Sequence, residues 1–232
     1  ASEPTTPPPL SKPDMVWVEA RLAEMTLEEK IGQMIMPSYS STSSAKSDMA
    51  AFHLGGFIFL GNNNRAENLA AATNELQFAS DLPLLFAIDC EAGAGARMVD
   101  STHFPMNLGL AASRRTDLAF DQGIVTAREC RALGIHMGFG PVLDVNTEWR
   151  NPIIGIRALG DEPVHVARMA AAYTRGAESA GLLTTFKHYP GHGPTEGDTH
   201  NGFVEVAISC DELRNTHIEP YRRLIDAGLG KA

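Results

Sequence analysis

A chain of 232 residues, 44% hydrophobic and 20% charged, is long enough to bury a substantial core. Its net charge of −9 speaks against nucleic acid or an anionic membrane as a partner, because both reward clustered Lys and Arg. Apolar runs such as GGFIFL and LLFAI fall far short of the roughly 20 residues that a membrane span needs.

Residues 1–14 form a Ser/Thr/Pro-rich tract with no apolar face, which reads as an extended N-terminal tether. A start at Ala1 with this composition fits an exported protein, periplasmic or extracellular, whose signal was removed. Ordered structure is expected from about Met15. Thr26 and Glu29 have the spacing of a capping box ahead of Leu27, Ile31 and Met34, which predicts a helix, and a first strand is expected near 31–37. GGFIFLG (55–61) reads as a buried strand, RAENLAAATNELQFAS as a helix and LPLLFAIDCE as a second buried strand that ends in acids. Residues 116–133 carry Phe120, Ile124, Ala127 and Cys130 on one helical face, with Gly134 as a stop. IHMGFGPVLDV is a strand, and residues 162–180 repeat Val166, Met169, Ala170, Tyr173, Ala177 and Ala180 at helical spacing up to Gly181. LLTTFKHYPG is another strand. Ser209 and Glu212 open a last helix lined by Leu213, His217, Tyr221, Leu224 and Ile225.

Apolar strands alternating with amphipathic helices mean a parallel sheet buried on both faces, which a doubly wound sheet or a (β/α)8 barrel satisfies. Asp89 and Glu91, Asp144 and Asn146, and Lys187 and His188 stand at the C-terminal ends of three different strands. A barrel gathers those ends on one face, where its active site is built. The turn GNNNRAEN lacks the G-x-G-x-x-G pattern of a dinucleotide fold, so the α/β class here is read as a TIM-type barrel.

KHYPGHGPTEGDTH (187–200) concentrates ionisable groups in a segment that Pro190, Gly191 and Gly193 keep out of helix and strand. In an extended loop Asp198 and His200 point to the same side, so the carboxylate can orient the imidazole and fix its tautomer. The product is a proton donor able to switch to a base; a solvated polar loop is the bland alternative. Lys187, His188 and the turn after them suit a hydroxyl-rich ligand, with a structural turn as the alternative. A metal site of His188, His192 and His200 is the weakest option, because no H-x-x-x-H on a helix or Cys pair supports it. Cys90, Cys130 and Cys210 form no CxxC pair, so neither a zinc spacing nor a disulfide framework is present, and Cys90 has no resolving partner nearby in sequence for a redox role.

Taken together, KHYPGHG followed by DTH, FGPVLDVNTEWRNPIIGIRALGDEP, GGFIFLGNN and THFPMNLGLAAS resemble glycoside hydrolase family 3, in its bacterial β-N-acetylhexosaminidase branch. The resemblance implies a retaining exo-glycosidase that releases N-acetylglucosamine-type sugars through a covalent glycosyl-enzyme, without metal or cofactor. It assigns His200 as general acid/base with Asp198 as its partner, and Asp89, Arg97, Arg157, Lys187 and His188 as sugar-binding residues. The nucleophile is implied on a later strand. A family I-D-Q-E-G-G-R loop stands here as IDCEAGAGAR, so Cys90, Ala92 and Ala94 depart from the pattern while Asp89, Glu91 and Arg97 keep it. Residues 15–232 correspond to about the first five βα units, so further polypeptide, from the same or another chain, is expected to complete the barrel. Phosphorolysis and a non-catalytic sugar-binding barrel are the alternatives in function. Cell-wall turnover is the expected setting.

Overall fold

The computed structural model describes residues 12–61 and 64–230, so most of the expected tether lies outside the described residues. Lys12 to Asp14 already belong to helix α1 (Lys12–Glu24). Thr26 then closes the capping box: its hydroxyl accepts from the Glu29 N–H at 3.2 Å, and the Glu29 carboxylate accepts from the Thr26 N–H at 2.7 Å. This starts α2 (Leu27–Gln33). The strand expected near 31–37 is therefore corrected. The helix carries through Gln33, and Pro37 has no N–H to give a ladder, so Ser38 alone bridges to Ile58.

Helix α3 (Thr42–Phe52) leads to β1 (Gly56–Phe59), α4 (Ala66–Ala79) and β2 (Leu85–Ile88). Next come α5 (Asn107–Ala112), α6 (Thr116–Ala132), β3 (Met137–Gly138), α7 (Pro163–Ser179) and β4 (Leu183–Thr184). A short α8 (Cys210–Glu212), a π-helical turn (Leu213–His217) and α9 (Glu219–Asp226) close the described chain. The strands pair in parallel in the order β1-β2-β3-β4, with Phe57 opposite Phe86, Ala87 opposite Met137 and Met137 opposite Leu183. Spatial order that follows chain order, with a helix between neighbours, is the winding of a barrel wall; a doubly wound sheet reverses direction partway. The sheet is not closed among the described residues.

The strands expected over 135–145 and 182–190 are shorter than their apolar runs. Pro141 offers no N–H, so pairing stops after Gly138 and resumes only at the bridge between Val142 and Lys187. Behind the sheet, α6 and α7 pack very closely. A Cβ on Gly123 would sit 2.2 Å from the Tyr173 carbonyl oxygen, and one on Gly176 would sit 2.1 Å from the Phe120 oxygen. This contact uses the small stripe Ala119, Gly123, Ala127 and Cys130. It leaves Phe120, expected on the core face, at the solvent edge. On α7 the buried face is the expected one, Val166, Met169, Ala170, Tyr173 and Ala177. In the last helical segment His217, Tyr221 and Leu224 are buried, but Ile225 lies outside that stripe and is exposed. Phe57, Phe86, Ile88, Met98, Leu143 and Leu182 are among the buried side chains of the core. No helix among the described residues is long and apolar enough to cross a membrane.

Candidate active site

The C-terminal ends of the strands bring five charged side chains into contact. β2 runs out at Ile88, and Asp89 and Glu91 follow on either side of buried Cys90. Beyond β4, Lys187 reaches back and places its Nζ 2.7 Å from Asp89 Oδ1 and 2.5 Å from Glu91 Oε1. Arg97 donates to the Asp89 carbonyl oxygen at 3.0 Å and to Asp89 Oδ2 at 3.2 Å. Arg157, the last residue of a 3-10 turn (Gly155–Arg157), donates twice to Glu91, at 2.8 and 2.7 Å, and once to the Ile153 carbonyl oxygen. The two-pronged geometry is the strong form of this ion pair. Burial opposes ionisation of Glu91, but the Arg157 fork and the Lys187 charge outweigh it and hold the carboxyl at about 2. With the buried Asp144 carboxylate behind them, three cations face three carboxylates.

His188 stands beside the floor. Its Nδ1 lies 2.6 Å from Asp144 Oδ2, and its Nε2 lies 3.3 Å from Arg157 Nη2. The same carboxylate accepts the backbone N–H of His188 at 3.1 Å and that of His192 at 2.6 Å. Asp144 is wholly buried. His192 is held at both ring nitrogens, by the Thr195 hydroxyl at 2.7 Å and the Thr199 hydroxyl at 3.1 Å.

The loop base is pinned to the segment after Asp144. The Asn151 amide donates to the His192 carbonyl oxygen at 2.7 Å, while its Oδ1 accepts the N–H groups of Ile153 and Ile154. Gly193 lies so near that a Cβ there would be 1.8 Å from the Val145 carbonyl oxygen. Arg150 joins Glu148 to Glu196 of the loop. Farther out, Asp198 Oδ1 accepts the His200 N–H at 2.9 Å and lies 2.6 Å from His200 Nδ1. The expected pair is therefore in contact, but a turn starting at Asp198 makes it, rather than an extended loop. The His200 N–H and then its ring hold the Asp198 carboxyl below its ordinary range. The His200 ring is 75% exposed, and its Nε2 has no partner among the described residues.

Asp89, Arg97, Arg157, Lys187 and His188 thus form one cluster, and Asp198 and His200 form a second on the loop above it. The three histidines of the metal alternative each have a different partner, Asp144, the two threonines and Asp198. All three cysteines are free; hydrogen bonding to Cys90 and burial push the Cys130 thiol up. Sequence reasoning assigned no role to Asp144, Glu91, Asn151 or Asn107, whose amide donates to the Arg157 carbonyl oxygen at 2.8 Å. Glu91 and Asp144 carry a signal, a polar residue at the end of an apolar run, which placed them at strand ends without assigning a role; Asn107 and Asn151 carry none. A cavity of about 780 Å³ also opens at the opposite ends of the strands, beside Met25, Gln33, His53, Leu54 and Leu82. Arg21, Glu24, Glu29, Lys46 and Asp81 also line it. Its ion pairs, Arg21–Glu24 and Lys46–Glu75, are exposed, whereas those of the strand-end cluster are largely buried, and that cluster is the better candidate.

A family model described as the glycosyl hydrolase family 3 N-terminal domain matches residues 26–232. A β-N-acetylglucosaminidase/β-glucosidase from Cellulomonas fimi is 34% identical over 217 residues, which are 93% of this chain and 38% of that protein. The solved family 3 β-N-acetylglucosaminidase from a Paenibacillus species superimposes with a TM-score of 0.83 at 34% identity, covering 88% of this chain and 41% of that one. A solved β-glucoside phosphorylase gives the same TM-score at 32% identity, over 94% of this chain and 39% of its own. The chain therefore spans about two fifths of the length of these relatives. With a parallel sheet wound in chain order and a family match over most of its length, the chain belongs to glycosyl hydrolase family 3, as its N-terminal, barrel-forming part.

Proposed function

We propose that the protein to which this domain belongs is a retaining exo-β-N-acetylglucosaminidase that uses His200 as proton donor and acceptor. The observation that carries the proposal is the Asp198–His200 contact at 2.6 Å, on a loop whose base rests on the strand-end cluster. Asp198 fixes the proton on His200 Nδ1 and so leaves Nε2 to exchange a proton with the glycosidic oxygen. Below it, Lys187, Arg97 and Arg157 offer donors to sugar hydroxyl oxygens, and Asp89 offers an acceptor to hydroxyl protons. The ion pairs among these groups keep them rigid before a sugar arrives. Most glycosidases divide this work between two carboxylates; here an imidazole takes the acid/base part, and an Asp of a later strand is proposed as nucleophile. No group in this scheme calls for a metal or cofactor. Cell-wall fragments and chitin oligomers are the natural substrates we have in view.

Phosphorolysis is the second reading. An imidazole in place of a carboxylate reduces repulsion of an incoming phosphate, and one solved relative is a β-glucoside phosphorylase. The test is incubation of the full-length protein with an aryl β-N-acetylglucosaminide in phosphate-free and phosphate buffer, following the product by NMR. The proposal expects free β-N-acetylglucosamine in both. Sugar 1-phosphate would establish the second reading, and no turnover of this glycoside or of an aryl β-glucoside run beside it would leave a sugar-binding barrel.

A further inference from the structure

We infer that Asp144 is a positioning residue that sets the tautomer of His188 and ties it to the loop carrying His200; this rests on the glycosidase reading for its catalytic consequence. Arginine has five donors and no acceptor, so Arg157 Nη2, 3.3 Å from His188 Nε2, must donate to a lone pair there. The ring proton then sits on Nδ1 and points at Asp144 Oδ2, 2.6 Å away. One buried oxygen therefore holds both the ring and the N–H of His188, at 2.6 and 3.1 Å, which fixes the ring's position as well as its proton. The other oxygen of the same carboxylate holds the His192 N–H at 2.6 Å. His192 is the loop's anchor, since its ring meets Thr195 and Thr199 and its carbonyl oxygen meets Asn151. Among the described residues, Asp144 is thus the side chain that hydrogen-bonds both the sugar-facing histidine and the base of the acid/base loop.

An amide at this position cannot serve all three N–H groups, because one of its two atoms is itself a donor. Asp144→Asn has two ways to settle. An NH2 group aimed at His188 moves the ring proton to Nε2, where it faces the Arg157 donor; aimed at His192, it pushes the loop base away. The first damages sugar binding and the second proton transfer.

The experiment uses the full-length protein with labelled histidine, the His188 signals being assigned by their loss in His188→Gln. In the unaltered protein, ¹⁵N–¹H correlation should show His188 protonated at Nδ1. Kinetics on an aryl β-N-acetylglucosaminide should show kcat/KM lower by about 10- to 100-fold in Asp144→Asn, the range for losing hydrogen bonds to a charged group. In a His188→Gln background the same change should cost less in KM and still lower kcat, because only the loop connection remains. A proton on His188 Nε2 in the unaltered protein overturns the inference whatever the turnover. Full additivity of the two substitutions overturns it as well. Nδ1 protonation in a protein that turns over no glycoside supports the positioning and sinks the glycosidase reading instead.

Discussion

Glu91 shows how a single residue of the floor links fold to function. Its carboxyl sits at about 2 against an ordinary 4.5, because Arg157 and Lys187 outweigh the burial that opposes its charge. A depressed folded value means that the stabilisation is fully present above pH 4.5 and is lost as pH falls from there toward 2. The difference corresponds to roughly 3 kcal/mol at neutral pH, since each pK step is worth about 1.4. Glu91→Gln should therefore lower the urea midpoint of the full-length protein at pH 7, and the gap from the unaltered protein should close by about pH 2. An unchanged gap at pH 7 and pH 2 would assign the effect to packing. At this scale the sequence was legible where chemistry is local. Asp198 and His200 are two residues apart, and their contact follows from short-range geometry. Asp144 was not legible as a hub, because its partners lie 44 and 48 positions away and only the sheet brings them together.

Among the elements, the segment after β4 depends on a missing side chain. Gly193 rests against the Val145 carbonyl, where a Cβ would come within 1.8 Å, and backbone cannot yield as a flexible side chain would. Gly193→Ala should shift the loop base by about an ångström and reduce kcat by about 10- to 100-fold, with a smaller change in thermal midpoint. Circular dichroism with steady-state kinetics checks this; an undiminished kcat would mean that the loop base does not position His200. Glycine also explains an element that was misread. Periodicity put Phe120 in the core, but Gly123 and Gly176 draw α6 and α7 together and turn Phe120 outward. Capping signals at Thr26 and Ser209 were legible because they are local, and both hydroxyls accept the N–H three residues on. Strand lengths were not, since hydrophobic runs report burial while ladder pairing ends where Pro37 or Pro141 withholds an N–H.

At the scale of the whole molecule, the parallel order β1-β2-β3-β4 leaves an open wall among the described residues. Relatives more than twice as long supply the rest of a polypeptide around a similar domain. A polypeptide prepared as residues 1–232 alone should then self-associate through its sheet edges and hydrolyse no glycoside. Sedimentation showing a well-behaved monomer with full turnover would contradict that. The alternation of helix and strand made the barrel legible from the sequence, and strand-end acids pointed to the face proposed here as the active one. The count of about five βα units was legible too, and the sheet is open among the described residues. The central claim remains that an imidazole on the loop performs proton transfer above a charged sugar-binding floor. Its most direct test is the leaving-group dependence of His200→Ala in the full-length protein, measured over aryl β-N-acetylglucosaminides of increasing phenol pKa. Loss of the donor should lower kcat/KM by about 100- to 10,000-fold for the poorest leaving groups and far less for the most acidic phenols. Equal rates for His200→Ala and the unaltered protein across the whole series would remove His200 from the chemistry.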